Sequence, residues 1–172
     1  MPITLCDFRN SDFETLWTID QKCFPPGISY SRLELAAYIR RPRAFAIVAE
    51  DVPAITPQPS TFKSAYKKRL QIAGFIVAEA SLRNLGHIIT IDVLAEYRRS
   101  GVGSRLLLAA EERLEAAGCI GIVLEAAVDN QTALAFYQRH GFSQFNKVER
   151  YYPNGTAAAI LRKDLLSAPQ AS

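Results

Sequence analysis

The stretch that most constrains the fold is a strand, a glycine-rich turn and a helix in immediate succession. An apolar run over residues 85–94 leads into the turn, which holds two arginines and two glycines. An amphipathic segment over residues 101–117 follows, with apolar side chains three or four residues apart. Such a turn brings free backbone N–H groups and the positive end of a helix dipole together. It therefore predicts an anion-binding site.

The spacing excludes two common nucleotide-binding loops. A phosphate-binding ATPase loop ends in Gly-Lys-Ser/Thr, whereas Gly103 is followed by Ser104 and Arg105. A dinucleotide fingerprint needs three spaced glycines, and only two are present here. What remains is Arg-x-x-Gly-x-Gly over residues 98–103. It is either a diphosphate site, where glycines let the backbone approach the ligand, or an ordinary tight turn with surface arginines.

The size and charge of the chain favour one domain without a nucleic-acid partner. The 172 residues are 49% hydrophobic, enough for one well-packed core. The net charge of +3 permits anionic partners without requiring them. We expect a single domain over residues 1–166, with a flexible inserted loop at 51–69 and a tail at 167–172. The basic residues 63–69 are interpreted as a solvated loop, with a nucleic-acid site as the alternative.

Cysteine content predicts a reduced, cytoplasmic protein. Cys6, Cys23 and Cys119 are far apart and form no metal-binding pattern, so neither a disulfide framework nor a metal site is expected. Cys119 is interpreted as a core residue. The first residues lack a signal-peptide pattern, and no apolar run is long enough to span a bilayer. We therefore expect no membrane partner.

The hydrophobic periodicity predicts an α+β domain around a mixed sheet. The expected element order is β-α-α-β-β-β-α-β-α-β-β. Helix caps are expected at Ser31, with Glu34 in the capping-box position, and at Asn130. The strands are predicted at residues 3–8, 45–50, 70–80, 85–94, 120–128, 142–145 and 157–165, and the helices at residues 10–23, 31–41, 101–117 and 129–139.

Two motifs resemble the GNAT superfamily of acyl-CoA N-acetyltransferases. Residues 93–103, Val-Leu-Ala-Glu-Tyr-Arg-Arg-Ser-Gly-Val-Gly, resemble its pyrophosphate-binding motif, and residues 129–142 resemble its second signature. The resemblance covers roughly residues 3–165. It implies the GNAT fold, a mixed and mostly antiparallel sheet of about seven strands flanked by about four helices. It also implies acetyl-CoA as co-substrate and no metal.

The same resemblance implies a set of cofactor contacts. The turn and the helix start would bind the diphosphate, and the strand before them would offer its backbone to pantetheine. Asn130 would contact the pantetheine arm as well as cap its helix. The implied contacts are Ile91, Val93, Arg98, Arg99, Ser100, Gly101, Val102, Gly103, Ser104, Asn130 and Tyr137.

Two aromatic segments give a narrower resemblance. Phe24-Pro25, and residues 150–153 with the sequence Arg-Tyr-Tyr-Pro, are similar to segments of the ribosomal-protein-alanine and protein N-terminal acetyltransferases. In those enzymes the segments wall the slot for the first residues of a peptide. Plain packing in the core or at its rim is the alternative. The implied substrate contacts are Phe24, Pro25, Tyr30, Asp92, Tyr151 and Tyr152.

Glu125 and Tyr137 are the principal catalytic candidates. Glu125 is the only ionisable side chain in the apolar run over residues 120–128, and a carboxylate there is interpreted as a general base. A carboxylate at an exposed strand end is the alternative. The resemblance implies that the Tyr137 hydroxyl protonates the departing thiolate, whereas a tyrosine packed in the core is the other reading.

His87 and Asp92 are secondary candidates on the strand before the turn. His87 lies six residues before Val93, so regular pleating predicts that they share a face. His87 is interpreted as a second base or a water holder, since some N-terminal acetyltransferases carry a catalytic tyrosine at the matching place. A surface histidine is the alternative. Asp92, next to Val93, projects from the opposite face of the strand unless a β-bulge shifts the alternation. With such a bulge, Asp92 would face the acceptor amine.

The function predicted from these residues is direct transfer of acetyl from acetyl-CoA to a primary amine. The acceptor expected from the aromatic segments is the N-terminal α-amine of a protein or peptide. The alternatives are a small amine, such as an amino acid, a polyamine or an antibiotic, and a non-catalytic acyl-CoA-binding module. A monomer and a homodimer are both compatible with the sequence.

Overall fold

A computed structural model describes residues 2–52 and 70–165. The expected order of strands and helices is confirmed there. The predicted loop at 51–69, apart from its first two residues, and the tail at 167–172 lie outside the described residues. The elements are β1 (Ile3–Asp7), α1 (Phe13–Cys23), α2 (Arg32–Ile39), β2 (Ala44–Asp51), β3 (Gln71–Ala80), β4 (Leu85–Val93), α3 (Val102–Ala116), β5 (Gly121–Ala127), α4 (Gln131–Arg139), β6 (Ser143–Val148) and β7 (Ala158–Asp164).

Local sequence signals set most helix boundaries. Ser31 and Glu34 form the expected capping box, in which the Glu34 N–H donates to Ser31 Oγ at 3.2 Å and the Ser31 N–H donates to Glu34 Oε2 at 2.8 Å. The Ala133 N–H donates to Asn130 Oδ1 at 3.1 Å, which confirms the predicted cap of α4. Gly101, the N-cap of α3, has φ of 84°, a backbone conformation that residues other than glycine rarely adopt.

The sheet has seven strands in the order β1-β2-β3-β4-β5-β7-β6. Among the described strand pairs, β4 and β5 alone run parallel, because α3 crosses over between them. The predicted mixed, mostly antiparallel sheet is confirmed. The sequence analysis ended β6 at residue 145, whereas the strand extends to Val148 with a register shift against β7 between Gln144 and Asn146.

The core lies on both faces of the middle strands. β3 is buried along residues 72–78, and the helices that pack on it are α1 and α3, so they cover opposite faces. The largest fully buried side chains include Phe75 and Ile76 of β3, Leu16 of α1 and Leu106 of α3. Over the described residues, no helix is long and apolar enough to cross a membrane.

The parallel ladder between β4 and β5 is short. It runs from Leu85 opposite Gly121 to Ile88 opposite Leu124 and then ends. Both strands continue, β4 to Val93 and β5 to Ala127, and each stays paired with its other neighbour. The two strands therefore separate at their carboxyl ends and leave an opening in the middle of the sheet.

A β-bulge in β4 corrects one prediction. Val77 of β3 lies opposite Thr90, and Ala78 lies opposite Ile88, so Ile89 is an extra residue in β4. Beyond this extra residue, each side chain of β4 projects from the face opposite to the one that regular alternation would give. The expectation that His87 shares a face with Val93 is therefore wrong, because the bulge puts Asp92 on the His87 face instead.

Close strand contact at Gly74 gives a test of this packing. A Cβ at Gly74 would lie 2.4 Å from the Asp92 carbonyl oxygen, and backbone does not yield cheaply. We expect Gly74→Ala to lower the free energy of unfolding by about 1–3 kcal/mol. Gly103→Ala is the matched control, because its Cβ would meet only ordinary contacts at 3.4 Å or more. Urea unfolding measures both, and equal midpoints would contradict the described register.

Candidate active site

Glu125 and His87 meet at the opening between β4 and β5. His87 lies opposite Val123 in the ladder, so Glu125, two residues further along β5, projects from the same face. His87 Nε2 and Glu125 Oε2 are 2.6 Å apart. Their side chains are 29% and 23% exposed, so the pair is partly buried but reachable. Two separately predicted candidates thus form one hydrogen-bonded pair.

Neighbouring carboxylates raise the pKa of His87 above its ordinary value of 6.5. Burial is the largest single influence and lowers the pKa, but the hydrogen bond and charge of Glu125, together with Glu79, outweigh it. The imidazole is therefore easier to protonate near neutral pH than a free histidine. Because Nε2–H donates to Glu125, the nitrogen that gains the proton is Nδ1.

Glu79 and Arg41 extend this pair and were missed by the sequence analysis. Glu79 Oε1 lies 3.7 Å from His87 Nδ1 and accepts a hydrogen bond from Arg41 Nη1 at 2.7 Å. The available signal was the same as for Glu125, because Glu79 is the only ionisable side chain of β3. Nothing in the local pattern of Arg41 points to this contact.

Tyr137 is packed inside the molecule, on the α4 side of the opening. It is 6% exposed, and its ring packs edge-on against Phe136 and Phe142, with centroids 5.3 and 5.6 Å away. Burial first, and then the charge of Asp92, raise the pKa of its hydroxyl. The hydroxyl therefore stays protonated at neutral pH, as a proton donor must.

The two aromatic segments come together. A Cβ at Gly27, in the segment after α1, would lie 2.8 Å from Asn154 Cβ, in the segment before β7. In the second segment the Tyr151 and Tyr152 rings pack edge-on at 5.0 Å. Tyr151 is 45% exposed. The loops that carry the two predicted segments are thus in contact just beyond them, and Glu125 contributes to the raised pKa of both tyrosines after burial.

Tyr30 is held at three points. Its N–H donates to Asp20 Oδ2 at 2.8 Å, and its carbonyl accepts from Gln21 Nε2 at 2.7 Å. Its hydroxyl donates to the carbonyl of the bulge residue Ile89 at 3.2 Å. Beside it lies a surface cavity of about 320 Å³ that Phe24 also lines. A larger cavity of about 490 Å³, between β1 and α3, contains none of the predicted site residues.

Asp92 is enclosed beneath α1. It is 1% exposed, its Oδ2 accepts from the Thr90 hydroxyl at 3.3 Å, and its buried Oδ1 has no partner among the described residues. Burial first, and then the charge of Asp20, raise its pKa well above the ordinary value. Burial raises the pKa of Asp20 to about 6. The sequence analysis missed Asp20, and the expected contact between Asp92 and an acceptor stays a prediction.

The glycine turn presents backbone more than arginine side chains. Arg98 Nε donates to the Val93 carbonyl at 3.0 Å, so this guanidinium folds back onto the end of β4. Arg99 lies in the left-handed region with φ of 61°. The N–H groups of the first turn of α3 have no carbonyl one turn before them. These N–H groups are donors that remain available to an anion.

Ser104 is tied to His140, a residue that the sequence analysis did not single out. His140 Nδ1 lies 2.8 Å from the Phe136 carbonyl oxygen, which only accepts, so Nδ1 donates. His140 Nε2 then accepts the Ser104 hydroxyl at 2.9 Å. This bond joins the start of α3 to the end of α4.

Comparison with known proteins decides the family. The profile of the acetyltransferase (GNAT) family matches residues 13–142, most of the chain. The chain belongs to the GNAT family. The predicted family is confirmed, and both motifs of the sequence analysis, residues 93–103 and 129–142, lie within the matched range. Among the described residues, no group of three or more His, Cys, Asp or Glu side chains is placed to hold a metal ion.

Several relatives are N-acetyltransferases. N-alpha-acetyltransferase 30 of Schizosaccharomyces pombe is 40% identical over 73 residues, which are 42% of this chain and 49% of that protein. The matched region thus spans about half the length of that relative. The solved ribosomal-protein-S18-alanine N-acetyltransferase of Escherichia coli has a TM-score of 0.75, 20% identity and 99% coverage of both chains.

The NatC complex bound to Gag peptide and CoA is a further structural neighbour. It has a TM-score of 0.76 and 22% identity, and the match covers 96% of this chain and 100% of that one. At this identity the likeness of both solved structures shows a shared fold. The predicted GNAT fold is confirmed.

The His87–Glu125 contact can be tested by titration. The chain has two histidines, so NMR of the imidazole carbons follows both, and His140→Gln assigns them. We expect a His87 pKa above 6.5, and a lower pKa in Glu125→Gln, because the amide removes the carboxylate that favours the imidazolium. Glu115→Gln, an exposed change on α3, is the control. An unchanged His87 pKa in Glu125→Gln would contradict the pairing.

Proposed function

We propose that the protein is an acetyl-CoA-dependent N-acetyltransferase that acts on the N-terminal α-amine of a protein or peptide. The observation that carries this proposal is the His87–Glu125 pair at the open ends of β4 and β5, beside Tyr151 and Tyr152. A base at this place, with aromatic side chains around it, suits the N-terminus of a peptide better than a small amine that is surrounded by water.

The His87–Glu125 pair supplies the base. An α-amine has a pKa near 8 and a lysine side chain one near 10.4, so the α-amine loses its proton more readily at neutral pH. Glu125 and His87 take up the proton that the nitrogen releases as it bonds to the acetyl carbonyl carbon. The proton then passes to solvent.

Tyr137 supplies the acid. As the carbon–sulfur bond of the thioester breaks, the Tyr137 hydroxyl donates its proton to the sulfur and recovers one from solvent. Its raised pKa keeps this proton in place before transfer. This role rests on the match of the α4 motif, and the packing of the ring is compatible with it.

The start of α3 suits the diphosphate of coenzyme A. Gly101 has φ of +84°, and a Cβ there would meet nothing within 4 Å, so the turn is open on that side. Acetyl-CoA supplies the acetyl group as a thioester. The backbone of residues 101–104 and the Arg99 side chain would hold its diphosphate, and the separated inner edges of β4 and β5 would hold the pantetheine arm.

The choice of a peptide acceptor has support from relatives. N-alpha-acetyltransferase 30 matches part of the chain, and the NatC complex shares the fold. Small amines are the rival acceptors. A cytoplasmic location and the choice between monomer and homodimer stay predictions from the sequence.

Paired peptides test the proposal. We expect release of free thiol from acetyl-CoA with a panel of peptides that have a free N-terminus. The same peptides with a blocked N-terminus and an internal lysine should release none, and mass spectrometry should place the acetyl group on the α-amine. Turnover with polyamines or amino acids and with no peptide would replace this function with that of a small-amine acetyltransferase.

Two substitutions test the chemical roles. Glu125→Gln and Tyr137→Phe should each lower kcat by about 100-fold, because each removes a positioned proton acceptor or donor. Glu115→Gln, remote from the opening, should keep wild-type kcat. Acetyl-CoA affinity, measured by calorimetry, should stay within about threefold of wild type. Full kcat in both site variants would place the catalytic centre elsewhere. Acetyl-CoA binding by the wild-type protein without turnover of any amine would instead point to a non-catalytic acyl-CoA-binding module.

A further inference from the structure

We propose that Glu79 and Arg41 are positioning residues that set how readily the His87–Glu125 pair accepts a proton. Glu79 favours the proton on His87, and Arg41 opposes it by neutralising Glu79. This inference rests on the proposed function, because it concerns the step in which the same pair receives a proton from the amine.

The placement of Glu79 follows from strand pairing. Glu79 lies directly opposite His87 in the β3–β4 register, before the bulge, so both side chains project from one face. Glu79 Oε1 is 3.7 Å from His87 Nδ1. The Glu79 side chain is 19% exposed, so its charge is screened only in part. The ring is thus flanked by Glu125 at one nitrogen and Glu79 at the other.

Arg41 neutralises the oxygen that faces His87. Arg41 Nη1 donates to the same Oε1 atom of Glu79 at 2.7 Å. The Arg41 guanidinium stacks over the Tyr38 ring at 4.3 Å, and the Arg41 backbone N–H donates to the Tyr38 carbonyl at 3.2 Å. Arg41 is therefore held against Glu79 by its own backbone and by an aromatic ring.

Proton placement explains why Glu79 matters. When the His87 ring is neutral, Nε2–H donates to Glu125, and Nδ1 carries no proton. When the pair gains a proton, the ring becomes cationic and Nδ1–H faces Glu79. A bare Glu79 carboxylate would stabilise this state strongly and slow release of the proton. Paired with Arg41, the carboxylate stabilises it less, which leaves the pair ready for the next amine.

Other groups around His87 do not replace this control. On β7, Arg162 lies opposite Val123 and so shares the His87 face, but it is paired with Asp164 at 3.0 Å. In the described part of the chain, the other neighbours are tyrosines, and burial keeps three of them neutral by raising their pKa values. The described titratable and charged groups around the ring are Glu79, Glu125, Arg41, Arg162, Tyr30, Tyr38, Tyr151 and Tyr152.

Two substitutions that each replace a charged side chain with an uncharged one should have opposite effects on the His87 pKa, and this tests the proposal. By NMR titration, the His87 pKa should fall in Glu79→Gln, which removes a negative charge, and rise in Arg41→Gln, which exposes that charge. Arg41→Lys should restore the wild-type value. Arg113→Gln is the matched control, because Arg113 also pairs with a carboxylate, Asp7 at 2.7 Å, and stacks over a ring, Phe45 at 5.0 Å, far from the site. It should leave His87 unchanged.

In a plot of kcat/KM against pH, the acid limb should move with the His87 pKa, to lower pH in Glu79→Gln and to higher pH in Arg41→Gln. For each protein, kcat/KM at a pH below the limb is divided by its own plateau value. Relative to wild type, this ratio should be roughly twofold to fivefold higher in Glu79→Gln and lower by a similar factor in Arg41→Gln. A purely structural role would lower the plateaus and leave the limb in place.

The outcomes separate this inference from the proposed function. Shifts of the His87 pKa in the same direction in both variants, or no shifts, would overturn the inference even if both variants acetylate peptides. Absence of acetyl transfer to any amine would overturn the proposed function, while opposite shifts in the NMR titration would still support the electrostatic arrangement.

Discussion

The interruption of the β4–β5 ladder after Ile88 and Leu124 is the feature on which the site depends. A fully paired sheet would satisfy its backbone groups internally and leave no room at its centre for a ligand. Here each strand stays anchored to its outer neighbour while the inner edges part. His87 and Glu125 sit where the pairing stops, the glycine turn lies just beyond β4, and α4 follows β5. The residues proposed to bind the cofactor and to act as base and acid are therefore arranged around one interruption of the sheet.

Much of this arrangement could be predicted from the sequence. Apolar residues that recur every two residues, or every three to four, predicted the order of strands and helices. Cap residues such as Ser31 and Asn130 predicted where two helices start. Glu125 was recognisable because a single carboxylate in an apolar strand needs a partner. The family motifs identified the glycine turn and Tyr137, since their residue types and spacing are local properties of the chain.

Contacts between distant residues could not be predicted. The bulge at Ile89 depends on how β4 fits against β3, and it decides that Asp92 shares the His87 face. The 2.6 Å contact of His87 with Glu125 joins residues 38 positions apart, and Arg41 reaches Glu79 across the same separation. Strand register and side-chain rotamers fix these contacts, and neither is written in a local pattern. The network proposed to tune the base therefore emerges only when the sheet is assembled.

The most direct measurement is a crystal structure of the protein with a conjugate that links coenzyme A to the N-terminus of a peptide. We expect the diphosphate on the first turn of α3 and the pantetheine arm between the separated ends of β4 and β5. We also expect the linked nitrogen beside the His87–Glu125 pair, with the peptide leaving between the segments that contain Tyr30 and Tyr151. A conjugate bound elsewhere, or a nitrogen remote from Glu125 on the far side of the sheet, would contradict the proposed site.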